Sequence, residues 1–156
     1  MPLNALDERQ FREIVSRFPA GEIVIVNEGL LMYLDDHEKE KLCSIIHDIL
    51  KQRGGYWITA DIYLKNKHEK LGLEFDDKTR EFFEQHQLED HKFESFEEAK
   101  AFFSRMGFVI DKEADLYRSR LSSMKYLIKN ASLLQLFKMR KAGKIQATWR
   151  LRPLTN

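Results

Sequence analysis

"IVIVNEGLLMYL", residues 23–34, is the stretch from which the rest of the chain is read. Four apolar residues run unbroken. Asn27, Glu28 and Gly29 interrupt them, and a second apolar run from Leu30 to Leu34 follows at once. Residues 22–27 read as a strand without polar alternation, the pattern of a strand covered on both faces in a parallel sheet. A carboxylate and a glycine directly after it fit a strand end that meets a ligand, with Gly29 turning the chain sharply away.

The neighbouring segments extend this reading. Asp35 or Asp36 opens a helix in which Leu42, Ile45, Ile46, Ile49 and Leu50 form one apolar stripe, and Gly54-Gly55 stops it. "YWITADIY", residues 56–63, is a second strand, rich in aromatic and β-branched residues. Strand, helix and strand make a βαβ unit, which implies a parallel pair with a right-handed crossover. Upstream, Asp7 N-caps a helix that carries Phe11, Ile14, Val15 and Phe18 on one face, and Pro19-Ala20-Gly21 ends it.

Downstream, residues 64–94 are polar and mixed, with a short helix over 76–86. They read as an inserted lid or substrate excursion. Ser95 and Glu98 form a capping box ahead of a helical face of Phe96, Ala99, Phe102, Phe103 and Met106. "FVIDKEADL", residues 108–116, is a third strand. Residues 118–142 read as helical, with Leu133, Leu134 and Phe137 as anchors. "KIQATWRLR", residues 144–152, alternates and reads as a final strand, half exposed or at a sheet edge. The predicted architecture is one α/β domain over 1–156, with helices on both faces of the sheet.

Composition narrows the function classes. The 156 residues are 43% hydrophobic and 12% aromatic, enough for a sizeable core. Charged residues are 33% with a formal net charge of +1, and that balance argues against a general nucleic-acid binder. No apolar stretch approaches the ~20 residues that span a bilayer, and the amino terminus has no secretory pattern. The single cysteine, Cys43, excludes an internal disulfide, so a cytoplasmic location is the expectation.

Glu28 and Asp61 follow adjacent strands, which would bring both acids to one rim. The alternative is that Glu28 caps the next helical turn and Asp61 is a loop acid. No two of His37, His47, His68, His86 and His91 share a helix at metal-ligand spacing with a carboxylate, so no metal site is expected. Cys43 lies near an apolar stripe and reads as packed. Ser122-Ser123 lacks a nucleophile elbow, and no glycine-rich phosphate loop occurs.

"VNEGLLMYL", residues 26–34, followed by the amphipathic helix, Gly54-Gly55 and "YWITADIY", resembles the class I S-adenosylmethionine-dependent methyltransferases. The resemblance is to the leucine carboxyl methyltransferase and polyketide O-methyltransferase group, in which an E-G-[LV]-L-x-Y-[LM] segment follows the fourth strand. The capped helix, "GFVIDKEADL", an excursion and "GKIQATWRL" are similar in order to that fold's last helix and its sixth and seventh strands. "LNALDERQF", residues 3–11, is similar to the segment after its third strand, at the adenine. The family opens with a strand and a glycine-rich loop for the methionine part of the cofactor. A second strand then ends in an acid for the ribose. Neither occurs in these 156 residues.

The resemblance therefore implies the carboxyl-terminal half of a methyltransferase. Its sheet would be partial and Rossmann-like, mostly parallel with an antiparallel closing strand. The implied cofactor is S-adenosylmethionine, and the implied reaction is O-methyl transfer to a small-molecule acceptor or a carboxylate. Asn4, Ala5 and Leu6 match the adenine-side turn. Asn27, Glu28 and Gly29 match the segment facing the cofactor. Leu31 and Tyr33 match positions beside the cofactor and substrate mouth, and Asp61 and Tyr63 those facing substrate. The excursions over 64–94 and 118–142 would form the acceptor pocket, with Phe75, Phe82 and Phe83 suiting an apolar or aromatic acceptor.

Without the glycine-rich loop, cofactor affinity is expected to be weak. The 22–27 strand would also lack its neighbour, leaving an edge that invites pairing. A homodimer or a separate N-terminal half at that edge is the partner expectation. A non-catalytic half-domain that binds through the edge is the alternative function. A response-regulator-like module is a third reading, which the alternating last strand suits less well.

Overall fold

The computed structural model describes residues 3–65, 77–114 and 144–154 of the chain. The expected helix over 118–142, Ser122-Ser123, His68 and Phe75 lie outside the described residues.

Local chemistry starts each well-capped helix. The Asp7 carboxylate accepts the Gln10 N–H at the head of α1 (Glu8–Ser16). Asp35 and Glu38 bond reciprocally at the head of α2 (Asp36–Arg53). α3 (Asp77–Gln85) lies in the excursion and buries no side chain of its own. At α4 (Phe96–Arg105), Ser95 accepts the Glu98 N–H, while the Glu98 carboxylate reaches past the cap to the N–H of Glu94.

The strands are β1 (Ile23–Asn27), β2 (Gly55–Tyr63), β3 (Phe108–Glu113) and β4 (Gln146–Pro153), in the order β1-β2-β4-β3. β1 and β2 pair in parallel, and β4 is antiparallel to both its neighbours. Three strands thus run one way and the last runs against them. β1 approaches β2 closely enough that a Cβ on Gly55 would sit 1.8 Å from the Ile23 carbonyl oxygen, and Gly55 has φ +103°. Only glycine fits both constraints.

The last strand is therefore interior, not at an edge. Its alternation has a different cause, a sheet that is dry on one face. Trp57 lies opposite Leu151 and Thr59 opposite Trp149, and all four are buried together with Ala147. Phe103 of α4 packs edge-on to Trp57 at 5.5 Å and to Trp149 at 6.0 Å, and Phe108 meets Trp57 at 5.4 Å. The α2 stripe, Leu42, Ile45, Ile46, Ile49 and Leu50, joins the same cluster, with Phe11 of α1. Each such side chain contributes about 1.5–3 kcal/mol by leaving water.

The expectation of cover on both faces fails at β1. Val24 is 58% and Val26 67% exposed. β1 ends the strand order, and no described element packs over its second face. Beyond β2, the chain leaves the sheet at Leu64 and returns beside it at Phe93. Phe93 N–H donates to Tyr63 O at 3.0 Å, and Lys65 N–H to Phe93 O at 2.9 Å.

Candidate functional site

The carboxyl ends of β1 and β2 define the site. β2 runs on past the end of β1, since Asn27 already pairs with Thr59. Asp61 therefore lies beyond the last β1 residue, in the path of the turning chain. Gly29, at φ +69°, bends the backbone so that successive N–H groups converge on this carboxylate. Gly29 N–H donates to Asp61 Oδ1. Leu30 N–H (2.7 Å), Leu31 N–H (3.1 Å) and Asn27 Nδ2 (2.6 Å) donate to Oδ2. Asp61 is 2% exposed.

Four hydrogen-bond donors replace the water that this buried carboxylate has lost. Asn27 extends the network inward, its Oδ1 accepting from Trp57 Nε1 at 2.5 Å. Thr59 supports it from below, its Oγ1 accepting the Asp61 N–H at 3.3 Å.

The loop held in this way carries Glu28 on its exposed side. The two acids expected at one rim thus take opposite roles. Asp61 is consumed in fixing the loop, and Glu28 faces water. Tyr63, half buried, completes this side. Gln146 Nε2 donates to its hydroxyl oxygen at 3.0 Å and to Ala60 O at 2.6 Å. Burial, then the charges of Asp61 and Glu28, push the Tyr63 phenol above its ordinary range. Tyr33, 42% exposed, meets Phe82 of α3 edge-on at 6.5 Å and His86 at 6.0 Å, which ties the loop to the excursion.

Other residues named from sequence lie elsewhere or inside. Leu31 is 2% exposed and belongs to the core, so with Asp61 it shapes the rim from beneath. Asn4 forms a turn at the start of α1, its Oδ1 accepting the Leu6 N–H at 3.0 Å. Ala5 and Leu6 pack partly against the core. No hydrogen bond among the described residues joins 4–6 to 27–29. Cys43 is fully buried, and burial with the nearby Glu40 charge pushes its thiol up, away from nucleophilic use.

Trp57, Thr59 and Gln146 were not singled out by sequence reasoning. Period-two spacing from Trp57 through Thr59 to Asp61 was the available signal for the first two. Gln146 had none, because its contact depends on where β4 inserts. Among the described residues no group of three His, Cys, Asp or Glu is arranged to hold a metal, and no described helix is long and apolar enough to cross a membrane. Compared with protein-family models and with curated proteins, the chain matches none.

Proposed function

We propose that these residues form the carboxyl-terminal half of a class I S-adenosylmethionine-dependent methyltransferase, transferring methyl to an oxygen of a small molecule or carboxylate. The observation that carries the reading is the direction pattern of the sheet. Three strands run together and the last runs against them, between β2 and β3, in keeping with the mostly parallel sheet and antiparallel closing strand that the resemblance implies. The placement of Asn27, Glu28 and Gly29 at a carboxyl strand end adds support.

The residues present suit part of such a cofactor. Glu28 is an exposed carboxylate in no ion pair among the described residues, on a loop whose backbone is fixed by Asp61. An anion there attracts the cationic ammonium end of the cofactor. Asn27 offers little by its side chain, since both amide atoms are engaged. When bound, the cofactor supplies an electrophilic methyl that an acceptor oxygen attacks as the carbon–sulfur bond breaks. The chain's part is placement. The Asp61 clamp keeps the Glu28 loop from shifting, and Tyr63 and Tyr33 border the side from which an acceptor arrives.

Calorimetric titration with S-adenosylhomocysteine tests this. The expected result is micromolar to millimolar binding that Glu28→Ala weakens about tenfold, the effect of losing one charge-assisted contact. No binding by a sample shown to be folded removes the support for a working half-site. A second reading, a non-catalytic half-domain that acts by binding a partner, is favoured by one observation, the exposure of Val24 and Val26 on a strand that pairs on one side only among the described residues.

A further inference from the structure

A second cavity, of about 210 Å³, lies between the first turn of α2, Lys65 just past β2, the turn over 90–93 and α4. None of its lining residues belongs to the Glu28 loop or to the groups that support that loop. Part of its wall is aromatic, where the rings of Phe93 and Phe102 meet at 5.8 Å.

Lys39, Lys65 and Lys92 border this cavity, and two of them are out of water. The side chain of Lys39 is 3% exposed and that of Lys92 0%. Their carboxylate partners stand on the outside. Asp36, bonded by Lys39 at 3.0 Å, is 93% exposed, and Glu89, bonded by Lys92, is 40% exposed. Lys65 and Glu94, 2.9 Å apart, repeat the arrangement in weaker form. Water screens the outer carboxylates far more than the inner ammoniums, so the cavity is positive within. The carboxylates that line it are spoken for or face water. Asp36 and Glu40 bond Lys39 and Arg105, Glu98 accepts the Glu94 N–H, and Asp90 is exposed.

An ammonium carries three N–H groups. Lys39, Lys65 and Lys92 each give one to a carboxylate among the described residues. Ring faces, Phe93 at 5.5 Å and Phe83 at 5.3 Å, take up part of the remaining charge of Lys39 and Lys92. The cavity is therefore rich in donors and short of acceptors, and an occupant that brings several anionic oxygens makes good the shortage.

We propose that this cavity binds a small phosphate monoester, whose phosphoryl oxygens accept from Lys39, Lys65 and Lys92 and whose body lies on Phe93 and Phe102. Lysine suits phosphate as a point charge that needs no fixed fork. The volume implies a body, since it exceeds what a bare anion fills, yet it is below the roughly 300–1,000 Å³ of pockets for drug-sized ligands. The proposal rests on no part of the methyl-transfer reading and stands whether or not the chain binds S-adenosylhomocysteine.

Calorimetric titration of the full chain with phenyl phosphate, inorganic phosphate and benzoate, at constant ionic strength, tests it. Phenyl phosphate is expected to bind with micromolar to millimolar affinity, about tenfold more tightly than the other two. Inorganic phosphate has no ring for Phe93 and Phe102, and benzoate has one charge and fewer acceptors. Lys39→Met and Lys92→Met should each weaken phenyl phosphate about tenfold. Both should fold, by circular dichroism, because the carboxylates they release are in contact with water and leave no buried charge unpaired.

Asp36→Asn separates binding from a purely structural role. It frees an N–H of Lys39 and removes a repelling charge, so phenyl phosphate should bind several-fold more tightly. A lysine that serves only the fold gives no reason for such tightening. Lys41→Met removes one positive charge from an exposed position outside the cavity and should leave the affinity within about twofold. No binding of phenyl phosphate by the folded parent chain overturns the proposal, as do equal losses in Lys41→Met and Lys39→Met or weaker binding by Asp36→Asn. Inorganic phosphate or benzoate binding as tightly as phenyl phosphate overturns the assignment to a phosphate monoester.

Discussion

The sheet has two outer strands, and they are built in opposite ways. β3 presents Asp111, Lys112 and Glu113 along its exposed half, with a register shift between Ile110 and Lys112. Arg150 bonds Asp111 at 2.6 Å, and Lys144 and Trp149 Nε1 both bond Glu113. Charges and a bulge are the devices by which sheets discourage stray pairing. β1 has neither. Its centre is Val-Ile-Val, its pairing with β2 is regular, and its charges stand only at the two ends. Among the described residues, one outer strand carries these devices and the other does not. At the same end of β1 where the edge opens, four hydrogen-bond donors lock the loop that carries Glu28.

The largest way to break this contrast is to remove the lock. Asp61→Ala leaves three backbone N–H groups and the Asn27 amide facing a small apolar cavity. The expected loss is about 3–5 kcal/mol, the range seen when one partner of a buried charged network is deleted. Urea denaturation measures it. Glu28→Ala, on the loop that Asp61 holds but in water, should change stability by less than about 0.5 kcal/mol. Similar midpoints for the two variants would mean that the loop is held by something other than Asp61.

A somewhat smaller loss is expected from Gly55→Ala. The added methyl meets the Ile23 carbonyl, and φ +103° is a conformation that alanine resists. A positive φ and overpacking together cost about 2–4 kcal/mol. The damage should fall on the β1–β2 pairing, so the β3 side ought to retain its amide protection while β1 loses its own. Uniform loss of protection across all four strands would show that β1 folds as one unit with the rest.

Much of this architecture was legible because it is local. The caps Asp7, Asp35 and Ser95 each precede a helix whose apolar spacing repeats within a few residues. The α2 stripe is read in the same way. Gly54-Gly55 marks a boundary for a reason that sequence supplies only in part, since the backbone clash with Ile23 needs the neighbouring strand. What failed was non-local. The alternation of Ala147, Trp149 and Leu151 reports a sheet covered on one face, and it carries no information on which strands lie to either side. The unbroken run Ile23–Val26 has the composition of a strand covered on both faces, but composition does not say which strand ends the sheet. At the edge Val24 and Val26 stand in water, while Ile23 and Ile25 pack against the core. In the candidate site, the position of Glu28 and Asp61 after adjacent strands was readable. Their division into a displayed acid and a saturated one was not, because it depends on how far β2 outruns β1.

Closing the open edge by imitation, or opening the closed one, sharpens the comparison at little cost to stability. Asp111→Val with Lys112→Val removes the charges from β3 together with the partly exposed Arg150 pair, for about 0.2–1 kcal/mol. The visible outcome should be association: light scattering at a given concentration rises above that of the parent chain. If it does not, the charges on β3 are not what keeps that edge single.

The gentlest test changes no residue at all. In β1 the N–H groups of Ile23, Ile25 and Asn27 face β2, and those of Val24 and Val26 face outward. Amide exchange at neutral pH should therefore alternate along five consecutive residues. The inward set should exchange more slowly by a factor on the order of a hundred, because exchange there requires local opening of the ladder, while the outward set is already in water. Protection of Val24 and Val26 in the free chain would mean that the edge is already occupied, and would remove the difference between β1 and β3 on which the comparison depends.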